Sequence, residues 1–187
     1  DNAQYRAVLG SAYLGAGRFL SAASAFGDAV TLGDASPRTT LSLALAQIGS
    51  GQTTPALASL DRANDSIAAA DLGLAYALAG DTQRGIAILS DAIRNGEYTP
   101  KIRQNLAYAL ALAGDWRQAR VMAAMDVPSE QIADRMAAWS ATAPAEAFQQ
   151  RVATLLNVPT VASDPSHPAA LDLTGGPAQQ SADAMVA

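Results

Sequence analysis

One phrase recurs along this chain of 187 residues and constrains its fold more than any other feature. Aligned on interior glycines, LGSAYLGAGRFLSA from Leu9, LALAQIGSGQTTPA from Leu43, LGLAYALAGDTQRG from Leu72 and LAYALALAGDWRQA from Leu106 bring Gly17, Gly51, Gly80 and Gly114 into register. The glycines are separated by 34, 29 and 34 residues. Self-similarity at such a period marks stacked supersecondary units, none of which buries its apolar face alone. The short middle interval predicts a trimmed connection.

Each line places about twelve helix-favouring residues ahead of a glycine that can take the left-handed conformation closing a helix. A second helical stretch follows. After Gly17, Ala22, Phe26 and Ala29 recur at i, i+4 and i+7, and after Gly80 a similar stripe runs through Ile86, Leu89 and Ile93. In the second unit Thr53 or Thr54 is the N-cap candidate with Pro55 in the first turn, while Asp81 and Asp115 read as N-caps in the third and fourth. No segment alternates apolar and polar residues with β-branched enrichment, so strands are not expected. Gly15, Gly27, Gly73 and Gly85 stand where helices would approach closely.

The residues Leu9, Gly10, Tyr13, Gly17, Phe19, Ala22, Phe26 and Ala29 resemble the tetratricopeptide repeat. The third unit matches it through Leu72, Gly73, Tyr76, Gly80, Leu89 and Ala92, and the fourth through Leu106, Ala107, Gly114, Trp116 and Ala119. The second is degenerate, with Gln47 in place of the tyrosine. Pro37 and Pro100 open the second and fourth units. The resemblance implies an all-α fold, a right-handed α-α superhelix of four helical hairpins over residues 1–126. Helices of about twelve residues are marginal alone, so each hairpin relies on large side chains lying against small sites of the next helix. Gly10 and Gly73 are the expected small sites.

Past Met125 the period stops. Val127-Pro128-Ser129 begins a helix with Ile132, Met136 and Trp139 on one stripe, and Pro144 another with Phe148, Val152 and Leu155. A stacked array needs an end piece, and residues 127–158 are expected to cap it. From Pro159 the chain turns rich in proline and alanine, and residues 159–187 are expected to be largely disordered apart from a short contact by Leu171 and Leu173. The first ten residues, DNAQYRAVLG, enter a helix pattern at once, as expected of a processed or trimmed start.

Half of the residues are apolar, 16% are charged, and about a quarter are alanine, which fits close-packed helices. A net charge of −5, with no cluster of Lys or Arg, disfavours nucleic acid and anionic membrane surfaces. There is no run of 18 apolar residues, so direct membrane insertion is not expected. Without cysteine the chain has no disulfide, thiolate site or cysteine nucleophile.

Catalytic constellations are absent by the same reading. His167, the only histidine, lies between Ser166 and Pro168 and reads as a solvated tail residue. Asp61 and Asp65 share a helix face, but neither His nor a third acid completes a metal set. Neither a nucleophile elbow nor a phosphate-binding loop occurs. No enzyme activity, cofactor or metal is expected. Trp116, Trp139, Tyr13 and Tyr76 read as core aromatics.

In a tetratricopeptide stack the first helix of each unit lines the concave face. By that resemblance the inward positions are Gln4, Ser11, Arg38, Leu45, Ile48, Leu74, Lys101, Gln104 and Tyr108. The surface is apolar at its centre, with cations at Arg38 and Lys101, and suits a protein or peptide bearing apolar side chains and one acidic group. Ala7 and Ser11 replace the Lys and Asn that a chaperone-tail carboxylate clamp would need. The alternative is a groove filled by the protein's own segment.

Residues 103–139, RQNLAYALALAGDWRQARVMAAMDVPSEQIADRMAAW, resemble the closing repeat of bacterial Tad (Flp) pilus assembly proteins of the tetratricopeptide class. That resemblance implies a non-catalytic adaptor in the assembly of a pilus or secretion apparatus, located in the bacterial cell envelope, periplasmic and often membrane-anchored. A related alternative is an envelope scaffold linked to a peptidoglycan-binding domain beyond this chain. One of a different class is a carboxylate-dependent hydrolase or transferase, which requires a pocket gathering at least two acids.

Overall fold

The computed structural model describes residues 2–168 together with Leu171 and Leu173. These residues form ten α-helices and no strand. Four hairpins account for the first eight: α1 (Ala3–Gly15) with α2 (Phe19–Thr31), α3 (Pro37–Gly49) with α4 (Thr53–Arg62), α5 (Ala69–Leu78) with α6 (Thr82–Arg94), and α7 (Pro100–Leu112) with α8 (Trp116–Ala123). Each second helix packs on the first helix of the next hairpin, and α1, α3, α5 and α7 touch in a row.

The four periodic glycines close the four first helices. Gly17, Gly51, Gly80 and Gly114 have φ between +71° and +97°, a region other residues enter only with strain. The short middle interval has a different origin from the expected one. Its connection, residues 63–68, is one residue longer than its counterparts at 32–36 and 95–99, whereas α4 and α5 have 10 residues each against 13 in α2 and α3. The helices are trimmed and the loop is not.

Helix starts follow capping chemistry. Ser36 and Thr99 accept from the amides of Thr39 and Ile102 ahead of Pro37 and Pro100, whose missing N–H costs nothing in the first turn. Asp81 and Asp115 cap α6 and α8 as expected. Thr53 and Thr54 do not cap α4: Gln52 occupies the cap position without a side-chain bond.

Small sites opposite large ones hold the hairpins together. A Cβ on Gly10 would stand 2.8 Å from the Phe26 ring, and one on Gly73 would stand 2.6 Å from Leu89. Gly85 lies against the Gly73 carbonyl. Gly15 and Gly27 depart from the expected close approach, since a Cβ at either would meet open space. Phe19, Phe26, Ile48, Leu60, Tyr76, Leu78 and Leu89 are essentially inaccessible and make up the bulk of the core. Trp116, expected inside, is on the surface.

The stretch expected to cap the array divides in two. After a 3-10 turn at residues 129–131, α9 (Ile132–Thr142) sets Ile132, Met136 and Trp139 against Ala107, Ala123 and Val127 and covers the last hairpin. The following helix, α10 (Phe148–Leu156), does not extend the end. It turns back across α3 and α5, placing Val152 and Ala153 beside Ile48, Leu74 and Leu78. Residues 159–168, expected to be disordered, continue onto the first hairpin. The Pro159 carbonyl occupies the space a Gly17 side chain would need, Gln149 Nε2 donates to Val161 O at 2.9 Å, and Ser24 and Ser166 share a hydroxyl hydrogen bond of 2.9 Å. His167 is half-buried rather than solvated, and Leu171 and Leu173 are half-buried too. The remainder of the expected disordered tail lies outside the described residues.

Candidate functional site

The row of first helices was expected to present nine inward residues, and the fold sorts them into three groups. Gln4, Ser11 and Arg38 lie together at the α1 end, around a depression that also involves Phe26 and Asp34. Leu45, Ile48 and Leu74 form the floor beneath α10, with Ile48 fully buried and Leu74 only 8% exposed. Lys101, Gln104 and Tyr108 flank the space between α7 and the two C-terminal helices. The middle of the row is therefore filled by the chain's own helix, the alternative arrangement for this face.

Arg151 is what fixes α10 there. Its side chain is 5% exposed and has no carboxylate within ion-pair distance among the described residues. The guanidinium instead donates to carbonyls at two helix ends: Nη1 to Leu78 O at 3.1 Å, Nε to Thr142 O at 2.9 Å, and Nη2 to Ala143 O at 3.2 Å and Pro144 O at 2.7 Å. Leu78 ends α5 and Thr142 ends α9, so the cation sits where two macrodipoles present their negative poles. Burial draws its pKa down, yet an arginine so held stays charged.

Two contiguous clefts remain beside α10. One, of about 260 Å³, has Leu41, Leu45, Leu74 and Leu155 in its walls and Asp71 and Lys101 at its rim. The other, of about 350 Å³, runs along Tyr108, Trp139 and Thr154, with Arg135 at its mouth. Leu74, Asn105 and Leu155 belong to both, which makes the clefts one channel.

The channel walls are firmly set. Tyr108 stacks on Trp139 with ring centroids 5.3 Å apart and shares a 2.8 Å hydrogen bond with Thr142. Burial raises the Tyr108 phenol above its usual pKa, opposed by that hydrogen bond and by the Arg151 charge. Gln104 is turned aside, donating to Ala123 O and the Asp126 carboxylate. Asp126 is held below the ordinary carboxylate range chiefly by its pairing with Arg103, and the pair joins α7 to the end of the last hairpin. Lys101 pairs with Asp71 at 2.7 Å. Arg135 has no carboxylate partner among the described residues and lies 5.7 Å over the Trp139 ring. Arg38, at the α1 end, likewise has no carboxylate partner among the described residues.

Sequence reasoning missed Arg135, Trp139, Arg151 and Leu155 as parts of one surface. The stripes carrying Trp139 and Leu155 were legible, but the roles of Arg135 and Arg151 and the return of α10 across α3 were not.

Asp61 and Asp65 do not form a joint site. Asp61 accepts from Tyr76 Oη at 2.6 Å and pairs with Arg84, also at 2.6 Å, while Asp65 is exposed. Among the described residues no group of three His, Asp or Glu is arranged to hold a metal. No helix among them is long and apolar enough to cross a membrane. No protein-family model matches the chain, and neither a curated protein nor a solved structure matches it.

Proposed function

We propose that this chain is a non-catalytic interaction scaffold of the tetratricopeptide kind, a right-handed α-α superhelix that acts as an adaptor in assembling a bacterial Tad or Flp pilus or a related secretion apparatus at the cell envelope. The repeat reading is supported by four glycine-closed hairpins in common register. The assignment to a pilus system rests on the residue pattern of 103–139.

The observation that carries the binding role is the channel between α7, α9 and α10. Its floor is apolar through Leu74, Tyr108 and Leu155, and its mouth carries Arg135 without a carboxylate partner among the described residues. An extended peptide that inserts one or two apolar side chains beside Leu155 and sets a carboxylate on Arg135 satisfies both features.

Site-specific photocrosslinking in the native envelope tests this reading. A photoreactive residue at Leu155, which is 39% exposed, should label a pilus assembly component, and the same group at exposed Arg94 on α6 should not. Arg135→Glu in the Leu155-labelled protein should abolish the product. Equal labelling from both positions, or labelling that survives Arg135→Glu, removes the channel as the binding site.

A further inference from the structure

The outer face of the last hairpin breaks a pattern that the other three keep. Counting forward 7 and 11 residues from each turn glycine gives Ser24 and Asp28 in α2, Ala58 and Arg62 in α4, and Ala87 and Asp91 in α6, all small or charged. After Gly114 the same places hold Val121, 61% exposed, and Met125, 52% exposed. Counting back 16 gives Ala35 ahead of α3 and Asn64 ahead of α5, but Tyr98, 53% exposed, ahead of α7.

The three large residues make one surface. Tyr98 Oη donates to Met125 Sδ at 3.1 Å, and Met125 lies about one helical turn beyond Val121. The Arg103 guanidinium sits 4.5 Å over the Tyr98 ring while bonded to Asp126. The ring is therefore positioned before anything binds, which spares a partner the entropy of ordering it.

One side of this surface is cationic. The helix α8 contains Arg117 and Arg120 and no acid. Both are exposed, and neither has a carboxylate partner among the described residues. Of the adjoining acids, Asp115 caps α8 and Asp126 pairs with Arg103. Arg117 precedes Val121 by about 6 Å along the helix axis. An anionic membrane surface fits this charge less well than a protein does: each arginine contributes about 1 kcal/mol there, and two stand against a net charge of −5.

What covers such a face is visible on the first hairpin. Residues 164–166, which are not helical, lie along α2 with the Asp164 carboxylate on the Ser21 amide and beside Arg18, and with the Ser166 hydroxyl on Ser24. Ser24 is the counterpart of Val121. A carboxylate and a second contact two residues later thus suffice to cover that helix face. Side chains two apart on an extended segment point the same way at a spacing of about 6.6 Å, close to the separation of Arg117 and Val121.

We propose that the outer face of α8 docks a non-helical segment of another protein in which an acidic residue is followed two positions later by an apolar one. The carboxylate sits on Arg117 and the apolar side chain among Tyr98, Val121 and Met125. No residue of α8 lines the channel beside α10, so the two docking surfaces are separate.

Photocrosslinking of the intact chain in its native host tests the assignment. A photoreactive residue at Met125 should label another protein, at a segment that mass spectrometry identifies as carrying an acidic residue two positions ahead of an apolar one. Arg117→Glu should cut that labelling about tenfold or more. Val121→Ser, which installs the residue found at the equivalent Ser24, should do likewise. Both positions are exposed, so both variants should keep the wild-type helical circular dichroism, which separates loss of docking from loss of fold.

A charge exchange supplies the second readout. Replacing the partner's acid with lysine should restore labelling by the Arg117→Glu protein but not by the Val121→Ser protein. Labelling of lipid alone, no labelled protein, a labelled segment without such an acid, or labelling that survives Arg117→Glu overturns the proposal. Failure of the charge exchange to restore labelling overturns it as well.

Discussion

The carboxylate of Asp164 caps a helix that begins 145 positions earlier in the chain, accepting the backbone amide of Ser21 at 2.9 Å in the first turn of α2. The Ser21 hydroxyl donates to the same carboxylate, and the Arg18 guanidinium lies 3.4 Å from it. In the third and fourth hairpins the residue after the turn glycine is an aspartate that caps the second helix. In the first it is Arg18, which makes no side-chain cap bond, and the segment after α10 supplies the missing acceptor.

Asp164→Asn should therefore weaken the start of α2 and release residues 159–168. The expected cost is about 0.5–2 kcal/mol, as for loss of an N-cap. Burial alone would raise the Asp164 pKa, but hydrogen bonds from Ser21 and Ser166 and the Arg18 charge outweigh it and hold the group below its ordinary 3.8. A depressed folded pKa means that the unfolded chain takes up the proton first. The contribution is thus complete above the ordinary value and is lost as pH falls through the folded one. Chemical denaturation across a pH series should show wild type and variant well separated at neutral pH and converging below about pH 4. A gap that widens on acidification would refute this role.

Removing Arg151 should detach α10. Arg151→Met keeps most of the aliphatic volume but leaves the carbonyls of Leu78, Thr142, Ala143 and Pro144 without their donor, at an expected cost of about 2–4 kcal/mol. Amide exchange should then rise selectively over residues 148–156, with α6 and α8 little changed. Uniform loss of protection would mean that α10 cannot separate from the array.

Glycine substitutions at packed and at open positions should move stability in opposite directions. Gly10→Leu drives a side chain into the Phe26 ring, 2.8 Å from where a Cβ would sit, and should cost about 1–3 kcal/mol by overpacking. Gly73→Leu, facing Leu89, should behave alike. Gly27→Ala sits mid-helix in α2 facing open space and should stabilise by about 0.5–1 kcal/mol. Thermal melts of the three variants would check the signs.

The channel makes a prediction of its own. Tyr108→Phe removes the hydroxyl shared with Thr142 but keeps the stack on Trp139, so about 1 kcal/mol of stability should go while the tryptophan emission changes little. Tyr108→Ala should remove the stack, expose Trp139 and shift its emission to longer wavelength.

Much of the candidate surface was readable one helix at a time. Leu45, Leu74 and Tyr108 are inward positions by resemblance to a tetratricopeptide stack, and they do lie in or under the channel. Ile48 is inward by the same resemblance yet is covered by α10, and Gln104 is drawn aside by Asp126. Periodicity specifies which side of a helix is apolar but not which neighbour covers it.

The chain's own pattern was enough to set ten helices, four glycine-closed hairpins and the small sites at Gly10 and Gly73, because helix period, left-handed closure and capping act within a few residues. Tertiary structure decided where α10 and residues 159–168 go, because their partners are carbonyls and amides that exist only once other helices have ended or begun nearby. Arg151 needs the ends of α5 and α9, and Asp164 needs the open first turn of α2. Neither contact leaves a local signature, since backbone groups at a helix terminus look alike in any sequence.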